Sequence, residues 1–485
     1  MKKWSFSVLS AMVTIIVFST CTRDRTTVDY TTKGYPQEVG EIIVAKCATA
    51  GCHNDISKDA AGGLSLETWD KLFQGARSGS VIIPYRPDFS TLIYATNSYY
   101  GFNSTSITPT MPANDAPLSV NEMYVLHQWI LAGAPNADGF VKFSDHQNNK
   151  KLYVANKECD VVTVMDPASG LAMRYIDVGT AMNIETPNMV RVSPDNVYWY
   201  VVFNSGTVIQ RFRTSDNSEA GSINIGPGIW TSFAFTSDSR KAFITDTQFG
   251  GRILCVDLEN MQIITNYQAG LIDPFDVLVN AANNKLYVAP QTGNYIYKID
   301  ISNIISPVIT EISLETGMPV NYLSSLDPYS ILLSNDGSKY FVACKTSSEL
   351  RIIQTSNDSL LATISVGSNV SRMVSSTTTP YLFVSCQGAV PFRESAIYVI
   401  DHQTNSYVTD LYAGYDSRGI TLDEITGKLF VANRNVSTGG PAAHHESVCA
   451  GKNGYVTAID LNTLQLIQGY KAEVSVDPFD IGISR

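Results

Sequence analysis

Cys47 and Cys52 have four residues between them and are followed at once by an imidazole, in the run Cys47-Ala-Thr-Ala-Gly-Cys52-His53. Two thiols with an adjacent histidine are the groups that fasten a c-type haem: the thiols take up the porphyrin vinyl groups and the imidazole is the proximal iron ligand. The commoner spacer is two residues, so the longer one makes the pattern less specific. A disulfide between Cys47 and Cys52, with His53 merely beside it, is the competing use. About sixty residues later, Pro109-Thr-Met111-Pro112 holds a thioether between prolines, a stiff presentation suited to a sixth haem ligand.

These groups need elements to hold them. The apolar stretch 39–45 leads into Cys47 as a short helix should. Ser119-Val-Asn-Glu122 is a capping box for a helix over 123–131, which stops near Gly133 and Pro135. His127 on that helix is the fallback sixth ligand.

Residues 35–141 resemble the monohaem cytochrome c-like domains with an extended CxxxxCH spacer, found in secreted or lipid-anchored bacterial proteins. The resemblance rests on Lys46-Cys-Ala-Thr-Ala-Gly-Cys52-His53-Asn54, Gly62-Gly-Leu-Ser-Leu-Glu-Thr68, Met111-Pro112 and Trp129-Ile-Leu-Ala-Gly-Ala134-Pro135. It implies a small all-α domain with one covalent haem c, carried by Cys47 and Cys52, with His53 proximal and Met111 distal.

The start of the chain reads as an export signal. Lys2 and Lys3 precede an apolar run over 8–18, too short for a permanent span, so residues 1–20 form a signal peptide. Phe18-Ser-Thr-Cys21 resembles a bacterial lipobox, which implies lipidation of Cys21 and a polar, lipid-anchored tether over 21–34. The expected location is the bacterial cell envelope, as an outer-membrane lipoprotein facing the periplasm or the surface. That compartment also allows disulfides to persist.

At 485 residues the chain is long enough for two to four domains. Only 16% of residues are charged against 44% hydrophobic, with 25 Tyr and 33 Gly, a balance suited to a turn-rich β protein. The net charge of -11, with no basic cluster, argues against nucleic acid as a partner.

After a linker over 142–148, residues 149–485 repeat one pattern. Lys151-Leu-Tyr-Val-Ala-Asn156 is echoed by Lys241-Ala-Phe-Ile-Thr-Asp246, Lys285-Leu-Tyr-Val-Ala-Pro290, Lys339-Tyr-Phe-Val-Ala-Cys344, Tyr381-Leu-Phe-Val-Ser-Cys386 and Lys428-Leu-Phe-Val-Ala-Asn433, and more loosely by Val197-Tyr-Trp-Tyr-Val-Val202. Seven copies at intervals of about 42 to 54 residues, each followed by a strand ending in Asp or a near equivalent, predict an all-β seven-bladed propeller. The Tyr-Val-Ala-Asn and Phe-Val-Ala-Asn cores, with Gly270-Leu-Ile-Asp-Pro-Phe-Asp276, resemble YVTN-type propellers. The first copy lacks an inner strand before it, while Asp477-Pro-Phe-Asp-Ile-Gly-Ile-Ser484 has the inner-strand pattern, so the C-terminal segment should close blade one.

The propeller adds candidate chemistry of its own. The insertion 434–452 carries His444 and His445, which could ligate copper or zinc with Cys449, or else be ordinary loop residues. Ring closure makes Cys159 and Cys449 neighbours on one face and predicts a disulfide between them. Asp276, Arg372, Arg418 and Asp480 map to the inner rim, where Arg372 and Arg418 could clamp an anionic group; plain lining of a wet channel is the alternative.

Three functions follow as expectations. The first is an exported haem c electron-transfer protein whose propeller docks a redox protein or organises an envelope complex. The second is a periplasmic oxidoreductase with a small-molecule substrate or second-metal site on the propeller face. The third is a surface binding module with an ancillary haem.

Overall fold

The computed structural model describes residues 32–99, 101–102, 110–144, 149–180, 183–388, 394–436, 448–449 and 451–485. Among the described residues the N-terminal domain has four α-helices, α1 (Gln37–Lys46), α2 (Trp69–Leu72), α3 (Thr91–Thr96) and α4 (Val120–Leu131). The capping box forms as its residues require. Ser119 accepts from the Glu122 backbone, and the Glu122 carboxylate accepts from the Ser119 N–H. Glu122 also pairs with Lys46 at 2.5 Å, tying the start of α4 to the end of α1 beside Cys47. Between the helices Tyr35, Ile43, Trp69, Leu126 and Ile130 are buried in one core. Its buried polar atoms find partners: the Tyr35 hydroxyl donates to the Leu66 carbonyl at 3.1 Å and the Trp69 indole to the Ala134 carbonyl at 2.9 Å.

From Leu152 onward the described residues form seven four-stranded antiparallel sheets arranged as propeller blades. The repeated core motif is the second strand of each blade. Its side chains alternate between two inter-blade cores: Tyr153 and Ala155 pack with Trp199 and Val201 of blade two, whereas Leu152 and Val154 pack with Phe430 and Ala432 of blade seven. Because both faces are covered, these strands read as unbroken apolar runs without polar alternation. The C-terminal strand Pro478–Ile483 pairs with Leu152–Asn156 as the inner strand of blade one, giving the order 478–483, 152–156, 161–165, 172–177. The first and last strands of the propeller therefore share a blade, and the ring has no open seam.

The Asp that ends many third strands has a local role. Asp257, Asp401 and Asp460 each accept backbone N–H groups two and three residues on, closing the hairpin to the outer strand.

The helical domain rests on the outer strands at the closing seam, Ala172–Asp177 of blade one and Gln465–Val476 of blade seven. The Glu473 N–H donates to the Ser78 carbonyl at 2.8 Å and the Ser80 hydroxyl to the Ala172 carbonyl at 3.0 Å. Gly79 lies against Ala472 and Glu473 at φ +112°, a backbone conformation that favours glycine. Phe89 stacks on Tyr175 with centroids 4.6 Å apart, and Arg86 donates to Asp177 at 2.8 Å.

Candidate functional site

Cys47 caps α1, its N–H bonded to the Ile43 carbonyl at 2.9 Å. The four-residue spacer then closes on itself. The His53 N–H donates to the Cys47 carbonyl at 3.1 Å, and the Cys52 N–H donates to the Thr49 carbonyl at 3.1 Å. Gly51 takes φ +81°, which this reversal favours. Asn54 pins the exit: its Nδ2 donates to the Thr49 carbonyl at 2.7 Å, while its Oδ1 accepts from the N–H groups of Ile56 and Ser57. A longer spacer thus becomes a compact loop that returns Cys52 and His53 to the end of the helix.

Cys47, Cys52 and His53 line a cavity of about 750 Å³ whose walls include Leu64, Leu66, Val81, Leu92 and Ala95. The size and the apolar walls suit a cofactor. Met111 lines the same cavity, held to α3 through its N–H, which donates to the Ala95 carbonyl at 2.6 Å. The structure therefore gathers all four residues that the sequence singled out, although Met111 is 58 positions from His53. His127 is not in the cavity wall and packs near Phe102, ring centroids 5.9 Å apart.

Burial keeps the Cys47 thiol and the His53 ring of this cavity neutral. Cys47 and Cys52 are unjoined thiols. Burial pushes the Cys47 thiol up to about 12, with the nearby Cys52 adding to the effect. Burial lowers the pKa of His53, outweighing the Leu64 carbonyl that favours its protonated form, so the ring is neutral, as a metal ligand must be. Its buried Nδ1 has no hydrogen-bond acceptor of normal geometry. Among the described residues no three His, Cys, Asp or Glu side chains converge tightly enough to hold a bare metal ion. Two thiols, an imidazole and a thioether spread around an apolar cavity suit a macrocycle that brings its own iron.

The other candidate residues fall as follows. Cys21, His444 and His445 lie outside the described residues. Cys159 and Cys449 are joined in a disulfide with Cα atoms 5.3 Å apart. At the channel, Arg372 lies between two carboxylates, 3.7 Å from Asp276 and 3.7 Å from Asp480. Asp276 also accepts from Ser232 and Ser330, and so links the inner strands of three neighbouring blades. Arg418 is directed elsewhere, donating to the Tyr329 hydroxyl at 3.1 Å and covering the Phe479 ring at 3.6 Å.

Sequence reasoning passed over Arg77 and Ser78, which also line the cavity. Their one signal was the run Ser78-Gly79-Ser80, small and polar enough to lie between cavity and propeller.

Comparison with known proteins finds likenesses of sequence and of fold. A family model described as planctomycete cytochrome C matches residues 50–99, a range that includes Cys52 and His53. Among solved structures, hydrazine synthase of Kuenenia stuttgartiensis is similar with a TM-score of 0.50 at 17% identity, over 63% of this chain and 91% of that one. A functionally unknown protein from Desulfotomaculum acetoxidans is similar with a TM-score of 0.52 at 13% identity, over 69% and 98%. At these identities the likeness is one of fold. No curated protein sequence matches the chain.

Proposed function

We propose that this chain, a cytochrome c-like domain joined to a seven-bladed propeller, is an exported electron-transfer protein bearing one covalent haem c. The propeller docks a redox protein or organises an envelope complex. The observation that carries this reading is the apolar cavity lined together by Cys47, Cys52, His53 and Met111. When bound, the haem supplies reversible one-electron exchange at iron without forming a bond to substrate.

The protein's own residues do the rest. Cys47 and Cys52 anchor the group at the end of α1, and the short closed spacer fixes the position of His53 relative to them. The neutral His53 ring would offer a nitrogen lone pair and Met111 a thioether sulfur to hold the iron of that group. Leu64, Leu66, Val81 and Leu92 keep water from the group, which limits the reorganisation accompanying a change of charge. Export as an outer-membrane lipoprotein is supported by Lys2, Lys3, the apolar run over 8–18 and Cys21.

Expression with a functional haem c maturation system, followed by cell fractionation and a haem-stained denaturing gel, tests the whole reading. Haem should stay with the denatured chain in the membrane fraction, and Cys21→Ser should move it to the soluble fraction. A chain that sheds its haem on denaturation removes the covalent assignment. A wild-type chain already found soluble removes the lipid anchor.

A further inference from the structure

The inner strands enter the propeller channel through a recurring four-residue segment. It reads Asp477-Pro-Phe-Asp480, Asp273-Pro-Phe-Asp276, Asp327-Pro-Tyr-Ser330, Asn369-Val-Ser-Arg372 and Asp416-Ser-Arg-Gly419 in blades one, four, five, six and seven. The first residue of each has φ between 43° and 57°. In blades one, five, six and seven the pairing with the second strand slips just after the second residue. A bulge repeated at one place re-aims the residue that follows it.

The consequence is two layers. The fourth residues give the Asp276–Arg372–Asp480 bridge, in which one cation faces two carboxylates. The third residues, one position nearer the strand start, give an aromatic floor. Phe275 and Tyr329 have centroids 4.3 Å apart, and Arg418 lies over Phe479 with its Nη1 on the Tyr329 hydroxyl.

Cations gather on this floor. Lys157, Lys345 and Arg434 each follow directly after a second strand, in blades one, five and seven. Lys157 Nζ is 4.4 Å and Arg434 Cζ 4.9 Å from the Phe479 centroid, and Lys345 Nζ is 4.7 Å from that of Tyr329. Arg434 is committed to Asp477 through contacts of 2.5 and 2.8 Å. The Lys157 and Lys345 ammonium groups have no ion pair or hydrogen bond among the described residues. Arg418 is 4% exposed and its buried Nε has no acceptor.

Asp416, Asp477 and Glu158 also act on these cations. Burial pushes the Tyr329 phenol up, but Arg418, Lys345 and Arg372 outweigh it and leave the phenol more acidic than usual. Tyr153 and Tyr340 are shifted the other way by burial.

We propose that this mouth binds a small oxyanion, a carboxylate or phosphate group, between the Lys157 and Lys345 ammonium groups, with Arg418 Nε–H as the buried donor and the Tyr329 and Phe479 rings as its floor. A buried guanidinium donor with no acceptor carries a desolvation cost that an anion removes, and charge-assisted bonds are the strong ones. Arg372 is assigned no part: although its guanidinium nitrogens also lack hydrogen-bond acceptors, it faces Asp276 and Asp480, whose negative charge would repel an anion there. The site does not depend on the haem reading.

Calorimetric titration of the full haem-loaded chain with inorganic phosphate and, separately, with succinate tests the proposal. Saturable binding of either probe is expected, and the one that binds assigns the ligand class. Lys157 and Lys345 are half-buried and their ammonium groups have no hydrogen-bond partner to lose among the described residues, so Lys157→Gln with Lys345→Gln should leave haem absorbance and thermal midpoint unchanged while weakening binding about tenfold or more. An ultraviolet titration supplies a second readout: the bound anion should raise the apparent pKa of one tyrosine, a change absent in Tyr329→Phe. No saturable binding of either probe at millimolar concentration overturns the site, as does equal affinity in the double variant.

Discussion

Met111 shows how a residue acquires its role from what holds it. Its sulfur belongs to a flexible side chain, but its backbone N–H is bonded to the Ala95 carbonyl near the end of α3, so the cavity wall fixes where the thioether starts. On the proposed function, Met111→Ala should therefore leave haem attachment through Cys47 and Cys52 intact and remove only the thioether that Met111 would offer the iron. The expected result is a haem-stained band of normal intensity, loss of the methionine-to-iron charge-transfer absorbance, and a lower reduction potential. Unchanged absorbance in that variant would mean that another residue is the sixth ligand. The four-residue spacer carries the same lesson. Gly51 and Asn54 make it a closed loop, so Cys52 and His53 reach the cavity despite the unusual spacing.

At the scale of elements, the blades share a carboxylate device. Asp238, Asp257, Asp336 and Asp401 accept from turn hydroxyls and N–H groups, which hold each below the usual aspartate range. For Asp336 the Ser334 hydroxyl, Ser338 N–H and Ser338 hydroxyl bring it to about 2. A carboxylate whose folded pKa lies below its unfolded value, about 3.9, stabilises fully above that value and loses its contribution as pH falls through the folded pKa. The urea midpoint of the propeller should thus change little from about pH 7 to 5 and drop steeply between about pH 4 and 2. Asp336→Asn should flatten part of that drop. A midpoint that holds steady down to about pH 2.5 would show that these turns do not govern acid stability.

At the scale of the whole molecule, two devices hold the ring and its attached domain. The Cys159–Cys449 disulfide spans 290 residues and joins the blades that meet at ring closure. Constraining so long a stretch of unfolded chain stabilises by about 2–4 kcal/mol. Cys159→Ser with Cys449→Ser should lower the unfolding free energy by that amount, read from denaturant curves, with a propeller still formed because the Pro478–Ile483 strand remains. The second device is the docking of the helical domain on the same seam. Arg86 bridges to an Asp177 side chain that is 76% exposed, so this ion pair contributes at most about 1 kcal/mol. Arg86→Ala should speed hydrogen exchange at the Glu473 amide, which donates to Ser78, by no more than about fivefold. A larger acceleration would make Arg86 the main tie between the domains.

The sequence by itself determined the repeat, the blade number, the strand that closes the ring and the candidate haem residues. Each of these is a local pattern: a buried strand must be apolar, a hairpin needs its Asp, and attachment groups lie together in the chain. The sequence also placed Asp276, Arg372, Arg418 and Asp480 at one channel, because equivalent positions in a closed repeat must converge. Only the tertiary structure decided what they do there. A bulge just after the second residue of the inner strands puts Arg418 among the aromatic rings, while Arg372, one position further along its strand, faces two carboxylates. Tertiary structure likewise brought Met111 to the wall shared with Cys47, Cys52 and His53, and set the helical domain on the closing seam. Those outcomes depend on contacts between residues distant in the chain, and a one-residue change of register alters every such contact without altering the pattern that specifies the strand.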